Sequence, residues 1–176
     1  MARSQATLTL RSDYIRTPMG TMVVLVDEEG CLRALDWEDH EDRMERLLGR
    51  HYGGMLARRR QRIPAVRHAV EAYFGGELTA LDALKMRTNG TPFQRDVWAA
   101  LRTIPAGETL SYRGLAERIG RPAAIRAVGL ANGSNPIGVV VPCHRVIGAN
   151  GSLTGYGGGM ERKRWLLQHE GARFRP

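Results

Sequence analysis

The chain has 176 residues, 43% hydrophobic and 25% charged, which is enough apolar mass for one ordinary domain or two small ones. No stretch approaches the roughly 18 apolar residues of a membrane span, and Met1 to Leu10 lacks the basic-then-apolar layout of a secretory signal. Two distant cysteines, Cys31 and Cys143, exclude a disulfide framework, so the expectation is a cytoplasmic protein with free thiols and no membrane partner.

The net charge of +8 is uneven. Residues 1–90 carry 14 Lys and Arg against 13 Asp and Glu, a balance of +1, whereas residues 91–176 carry 12 against 5, a balance of +7. A basic second half beside a neutral first half suggests a polyanion-binding module. The competing explanation is an arginine-rich composition, since Lys85 and Lys163 are the only lysines.

Along the first half, Thr21 to Val26 is a β-branched run closed by the turn Asp27-Glu28-Glu29-Gly30. Cys31 to Trp37 alternates enough to be its hairpin partner. Helical spacing follows at Met44, Leu47 and Leu48 within Arg43 to Tyr52, and at Val66, Ala69, Val70 and Tyr73 within Pro64 to Phe74. Between them, Arg58-Arg59-Arg60 and Arg62 read as a solvated charge run, with a DNA contact as the alternative. A boundary falls near Lys85 to Pro92, where Asn89-Gly90 marks a turn, dividing the chain into 1–88 and 89–176.

The second half reads as short helices. Thr91-Pro92-Phe93-Gln94 supplies a cap, a first-turn proline and a capping-box glutamine ahead of Val97, Trp98 and Leu101. Ser111 can cap a helix through Leu115 and Ile119 to Gly120, and Pro122 opens another through Ile125, Val128 and Leu130 to about Asn132. Such a pair is what a helix-turn-helix requires. A last helix is expected from Arg162 to His169, ended by Gly171.

Val139-Val140-Val141-Pro142-Cys143-His144-Arg145-Val146 carries the chemistry. Three β-branched residues suggest a buried extended segment, with Cys143 emerging at its end. A thiol with an ordinary pKa of about 8.5 needs a route for its proton. His144 supplies one, and Arg145 would add positive potential. The dipeptide alone also fits a buried core cysteine beside a surface histidine, and Cys31, in an apolar strand, reads as core. A closed zinc site needs about four ligands at short paired spacing, which neither Cys143-His144 nor His40, His51 and His68 provide, so no metal is expected.

Pro142-Cys143-His144-Arg145-Val146 resembles the signature of the O6-alkylguanine-DNA alkyltransferases. The likeness continues through Thr91-Pro92-Phe93-Gln94, Arg102-Thr103-Ile104-Pro105 with Gly107, Ser111-Tyr112, Arg126-Ala127-Val128-Gly129, Asn132-Gly133-Ser134-Asn135-Pro136, Gly155-Tyr156-Gly157-Gly158 and Trp165-Leu166-Leu167 with His169-Glu170. It spans essentially all of 91–176 in order. A weaker likeness covers the first half through Thr17-Pro18-Met19-Gly20 and Ala72-Tyr73-Phe74 with Gly76. The single-function bacterial form is the nearest in length.

The resemblance implies an α+β protein of two domains, a ribonuclease-H-like N-terminal α/β domain and a C-terminal helical domain with a helix-turn-helix. It implies irreversible transfer of the alkyl group from O6-alkylguanine, with O4-alkylthymine as a further substrate, in double-stranded DNA to Cys143, once per molecule, without a cofactor and as a monomer. His144, through a water, and Glu170 would make the thiolate, and Asn135 would position that network. Tyr112 would promote nucleotide flipping, and Arg126 would fill the gap, with Ser111, Ala127 and Gly129 at the DNA. Tyr156, Gly157, Val146 and Pro142 would form the substrate pocket, Gly157 standing where some relatives carry serine. The small face Ala123, Ala127 and Gly129 would permit close approach in the minor groove. A cysteine hydrolase would use a similar Cys-His-acid set but needs an oxyanion hole. A DNA-binding regulator, or a lesion sensor of the same fold, would use the helix pair alone and needs no acceptor thiol. Glu170 has a competing reading as a surface carboxylate.

Overall fold

A computed structural model describes residues 7–54 and 56–176, so part of the Met1 to Leu10 segment lies outside the described residues. The chain is α+β. Strand β1 (Leu8–Thr17) turns at Pro18-Met19 into antiparallel β2 (Gly20–Val26), which pairs antiparallel with β3 (Leu32–Trp37). Helix α1 (Glu41–Tyr52) then crosses to β4 (Leu56–Arg60), which lies parallel to β1, giving the order β3-β2-β1-β4. The hairpin expected over residues 21–37 is therefore β2 and β3. The Arg58 to Arg60 run forms an edge strand, and Arg59, Arg60 and Arg62 are exposed on it and just beyond it, as expected of a solvated charge run. Its charges are engaged locally: Arg58 pairs with Glu41 and Glu45, and Arg60 lies over the Tyr14 ring.

Both faces of the sheet are covered, because β2 is apolar at every position from Met22 to Val26. Val23 and Leu25 pack with Leu10, Met44 and Leu48 of α1. Met22, Val24 and Val26 face α2 (Pro64–Phe74) and join one continuous core that runs into the C-terminal half. Among the described residues no helix is long and apolar enough to cross a membrane.

The C-terminal half begins with α3 (Pro92–Leu101), where Thr91 and Gln94 form the expected reciprocal capping box. Helix α4 (Tyr112–Arg118) is capped by Ser111, which accepts from the Gly114 amide at 3.0 Å. Helix α5 (Ile125–Gly133) starts three residues later than the Pro122 signal suggests, and Ala123 lies in the preceding turn rather than on the helix. The Trp98 indole donates to the Ala131 carbonyl at 2.8 Å, tying α3 to α5. Short parallel strands β5 (Leu110–Ser111) and β6 (Val146–Ile147) flank the Cys143 turn, and α6 (Met160–His169) closes the chain.

The outer edge of β3 positions the site. Leu32 pairs with the Lys85 to Arg87 segment, and Leu35 pairs with 136–138: its amide donates to Pro136 at 3.0 Å and its carbonyl accepts from Gly138 at 2.8 Å. The loop that leads to Cys143 is thus an extension of the N-terminal sheet.

Candidate active site

The Val139 to Val141 stretch is buried, as β-branched residues should be, but it is not extended. It turns tightly, with Val139 at φ +65°, a conformation costly for a branched side chain. Two anchors over-determine it. The pairing with Leu35 fixes one end, and Asn135 fixes the other, donating from Nδ2 to the Val141 carbonyl at 2.8 Å and accepting from the Ile137 amide at 2.9 Å. Cys143 follows as the first residue of a helical turn, Cys143–Arg145, with its amide on the Val141 carbonyl at 2.8 Å.

Glu170, just past α6, is 5% exposed, which removes the surface-carboxylate reading. Gly171 at φ +71° reverses the chain there and turns the carboxylate inward. It accepts four hydrogen bonds: from Tyr73 Oη at 2.7 Å, His144 Nε2 at 2.9 Å, and Arg145 Nε and Nη2 at 2.9 and 2.8 Å. Burial opposes its ionisation, but His144 and Arg145 together outweigh burial and hold the carboxyl well below the usual range. Because a carboxylate only accepts, the hydrogen of His144 is assigned to Nε2, and Nδ1 is left as a buried lone pair without a protein partner. Burial pushes the imidazole down despite Glu170, so its resting form is neutral.

Arg145 does not act on the thiol as the sequence suggested. Its guanidinium is spent on Glu170 and on the Ile104 carbonyl at 2.5 Å. The cations that bear on Cys143 are Arg43 and Lys163. Burial pushes the Cys143 thiol up, while the Asn135 side chain and these two charges favour the thiolate without cancelling burial. Lys163 is fully buried, donates from Nζ to the Val146 carbonyl at 2.6 Å, and is pushed down to about 8 by burial.

Cys143 lines a cavity of about 20 Å³ with Asn135, Tyr156, Gly157, Asp36 and Arg43. Pro142 and Val146 are buried behind Cys143 and do not line it. Arg43 and Asp36 went unnoticed in the sequence because nothing local marks them: they meet the site only through α1 and β3. Arg43 pairs with Asp36 at 2.7 Å and donates to the carbonyls of Gly133 and Asn135 at 2.7 and 3.3 Å. A Cβ at Gly157 would lie 2.6 Å from the Arg43 Cζ, so a serine there requires this anchored guanidinium to move. Tyr73, from α2, likewise shows in the sequence as a helical apolar position and part of the weaker likeness, with nothing to mark its bond to Glu170.

The remaining expected residues do not line the cavity. Tyr112 heads α4, its hydroxyl hydrogen-bonded to Thr154 Oγ1 at 2.8 Å and its ring close to Gly129. Arg126 and Ala127 are exposed on α5. Cys31 is buried just before β3, its amide donating to Asp27 Oδ1 at 2.9 Å, and it is not among the residues of the Cys143 cavity.

Comparison with known proteins gives a consistent picture. Residues 10–88 match the family model described as 6-O-methylguanine DNA methyltransferase, ribonuclease-like domain, and residues 92–172 match its DNA binding domain. The chain is 52% identical over 169 residues to a protein of Salmonella typhimurium named methylated-DNA–protein-cysteine methyltransferase, covering 93% of this chain and 97% of that one. The crystal structure of Mycobacterium tuberculosis OGT in complex with DNA superposes with a TM-score of 0.78 at 42% identity, covering 93% of each chain. An O6-methylguanine-DNA methyltransferase from Pyrococcus kodakaraensis gives 0.71 at 25% identity, covering 93% of this chain and 99% of that one.

Proposed function

Since the chain belongs to the methylated-DNA–protein-cysteine methyltransferase family, we propose that Cys143 is the acceptor in its direct-reversal repair of alkylated DNA. The carrying observation is a buried thiol on a small cavity, next in sequence to an imidazole that a matched carboxylate holds in one tautomer. The thiol proton leaves toward the His144 Nδ1 lone pair through a water. The thiolate sulfur attacks the alkyl carbon in line, the bond from that carbon to guanine O6 breaks with its electron pair going to oxygen, and protonation restores guanine. The thioether has no easy reversal, so each molecule acts once and needs no cofactor.

The substrate is double-stranded DNA carrying O6-alkylguanine. Chemistry on a stacked base requires extrusion at a cost of about a few kcal/mol. In this reading α4 and α5 form the helix-turn-helix, with Ser111, Ala127 and Gly129 at the duplex. Tyr112 crowds the phosphate, and Arg126 occupies the space the base leaves. Tyr156 and Gly157 receive the base, and Asn135 holds the turn that presents Cys143. The units 1–88 and 89–176, a monomeric state and a cytoplasmic location belong to the same proposal.

Incubation with a duplex bearing labelled O6-methylguanine, followed by mass mapping, tests the acceptor. Label is expected on Cys143, none in Cys143→Ser, and undiminished transfer in Cys31→Ser. Label on Cys31, or on neither cysteine, rejects the assignment.

A further inference from the structure

Helix α1 sorts its charges by face. Glu41 and Glu45 turn toward β4, where Arg58 pairs with both, at 3.2 and 2.5 Å. Arg43, Arg46 and Arg50, spaced i, i+3 and i+7, share the opposite face. Arg43 is held by Asp36 and by the C-terminal end of α5. Arg46 and Arg50 are exposed and have no carboxylate partner among the described residues. They line one side of an open groove of about 410 Å³ whose other side is Gly129, Leu130 and Gly133 of α5. Leu130 is 72% exposed and lies one turn beyond Arg126 on the same helix.

We propose that this groove seats the DNA backbone beyond the recognition helix, with Arg46 and Arg50 each neutralising a phosphate, so that the N-terminal half takes part in binding the duplex. The proposal rests on the reading of α5 as the duplex-facing helix and extends that face without a break. Two uncompensated arginines one turn apart, about 6 Å along the axis, suit neighbouring phosphates. The glycines opposite them leave room for a sugar-phosphate chain, and Leu130 offers apolar contact to its sugars. The balanced charge of residues 1–90 conceals this because Glu41 and Glu45 are on the other face of α1, and Asp42, four residues before Arg46, makes no ion pair with it.

The test is the salt dependence of duplex binding, measured by fluorescence anisotropy for wild type, Arg46→Ala/Arg50→Ala and Arg46→Lys/Arg50→Lys. Each phosphate contact contributes about 0.9 to the slope of log affinity against log salt, so the alanine pair should lower the slope by about 1.8. Its deficit against wild type should then shrink about twelvefold between 50 and 200 mM salt. The lysine pair should keep the wild-type slope. Equal slopes for wild type and the alanine pair overturn the proposal, as does lost self-association with DNA binding unchanged, which would assign the groove to a second copy of the chain. A wild type without salt-dependent duplex affinity would instead defeat the underlying DNA-binding reading.

Discussion

Replacing Glu170 with glutamine removes one negative charge from a point where four donors converge. The amide oxygen can still accept, but the amide nitrogen brings hydrogens toward Arg145 or His144, and the Arg145 guanidinium loses its counter-charge while buried. Breaking a buried pair from one side costs about 3–5 kcal/mol. For a protein of this size that is a melting temperature lower by roughly 6–20 °C. The chemical effect is separate. Glu170 favours a protonated His144 by charge and by hydrogen bond, and without it the uncompensated Arg145 opposes that protonation further. The thiol proton then has a poorer acceptor, so the apparent pKa of Cys143 rises. The assay is the pH–rate profile for Cys143 alkylation by a free alkylated base, which needs no DNA binding. Glu170→Gln should give a profile displaced upward, with activity partly recovered in alkali. Superimposable profiles in a folded variant would refute the relay.

Tyr73→Phe should remove one charge-assisted hydrogen bond to Glu170, costing about 1.5–3 kcal/mol, and slow free-base alkylation less than Glu170→Gln; an unchanged melting temperature and rate would show the bond to be idle. Arg126→Ala should slow duplex repair by about tenfold or more, as about 1.4 kcal/mol of lost gap-filling implies, while leaving free-base alkylation alone; equal slowing of both would assign Arg126 to chemistry or folding. Titration with excess methylated duplex and a chelator should end at one lesion per protein, and any further repair would mean turnover. Stability should decline in acid: below pH 6.5 the unfolded His144 takes up a proton that the buried one refuses, and below 4.5 the unfolded Glu170 does so as well. Melting temperatures measured from pH 7 to 4 test this, and a flat profile from 6.5 to 4.5 would contradict the buried neutral imidazole.

What the sequence made legible was local. The capping box at Thr91 and Gln94 and the helix-ending Gly171 are short-range signals, and both are present in the fold. Pro122 misled because proline suits a turn as well as a first helical turn, and here the turn wins until Ile125. The valine run misled because its burial is real while its extension is not; strand β3, far away in sequence, dictates the bend at Val139. Strand β1 escaped notice since Ser12 and Asp13 interrupt its apolar pattern. Both are buried, and Asp13 is satisfied by Ile63, Tyr14 and Arg67. Arg43 and Tyr73 could not be found from spacing, because they reach the site only through tertiary packing.

The seam along β3 also bears on how the protein is made. An open strand edge is a template for pairing with other chains. During synthesis the Lys85 to Arg87 segment can cover Leu32 as soon as the first half has emerged, but the backbone of Leu35 waits until α3, α4 and α5 have been translated and Pro136 arrives. The nascent chain therefore carries half an unguarded edge through that interval, and a product terminated before residue 136 carries it permanently. Such truncated chains should self-associate edge to edge, and their rescue should require the very turn that presents Cys143.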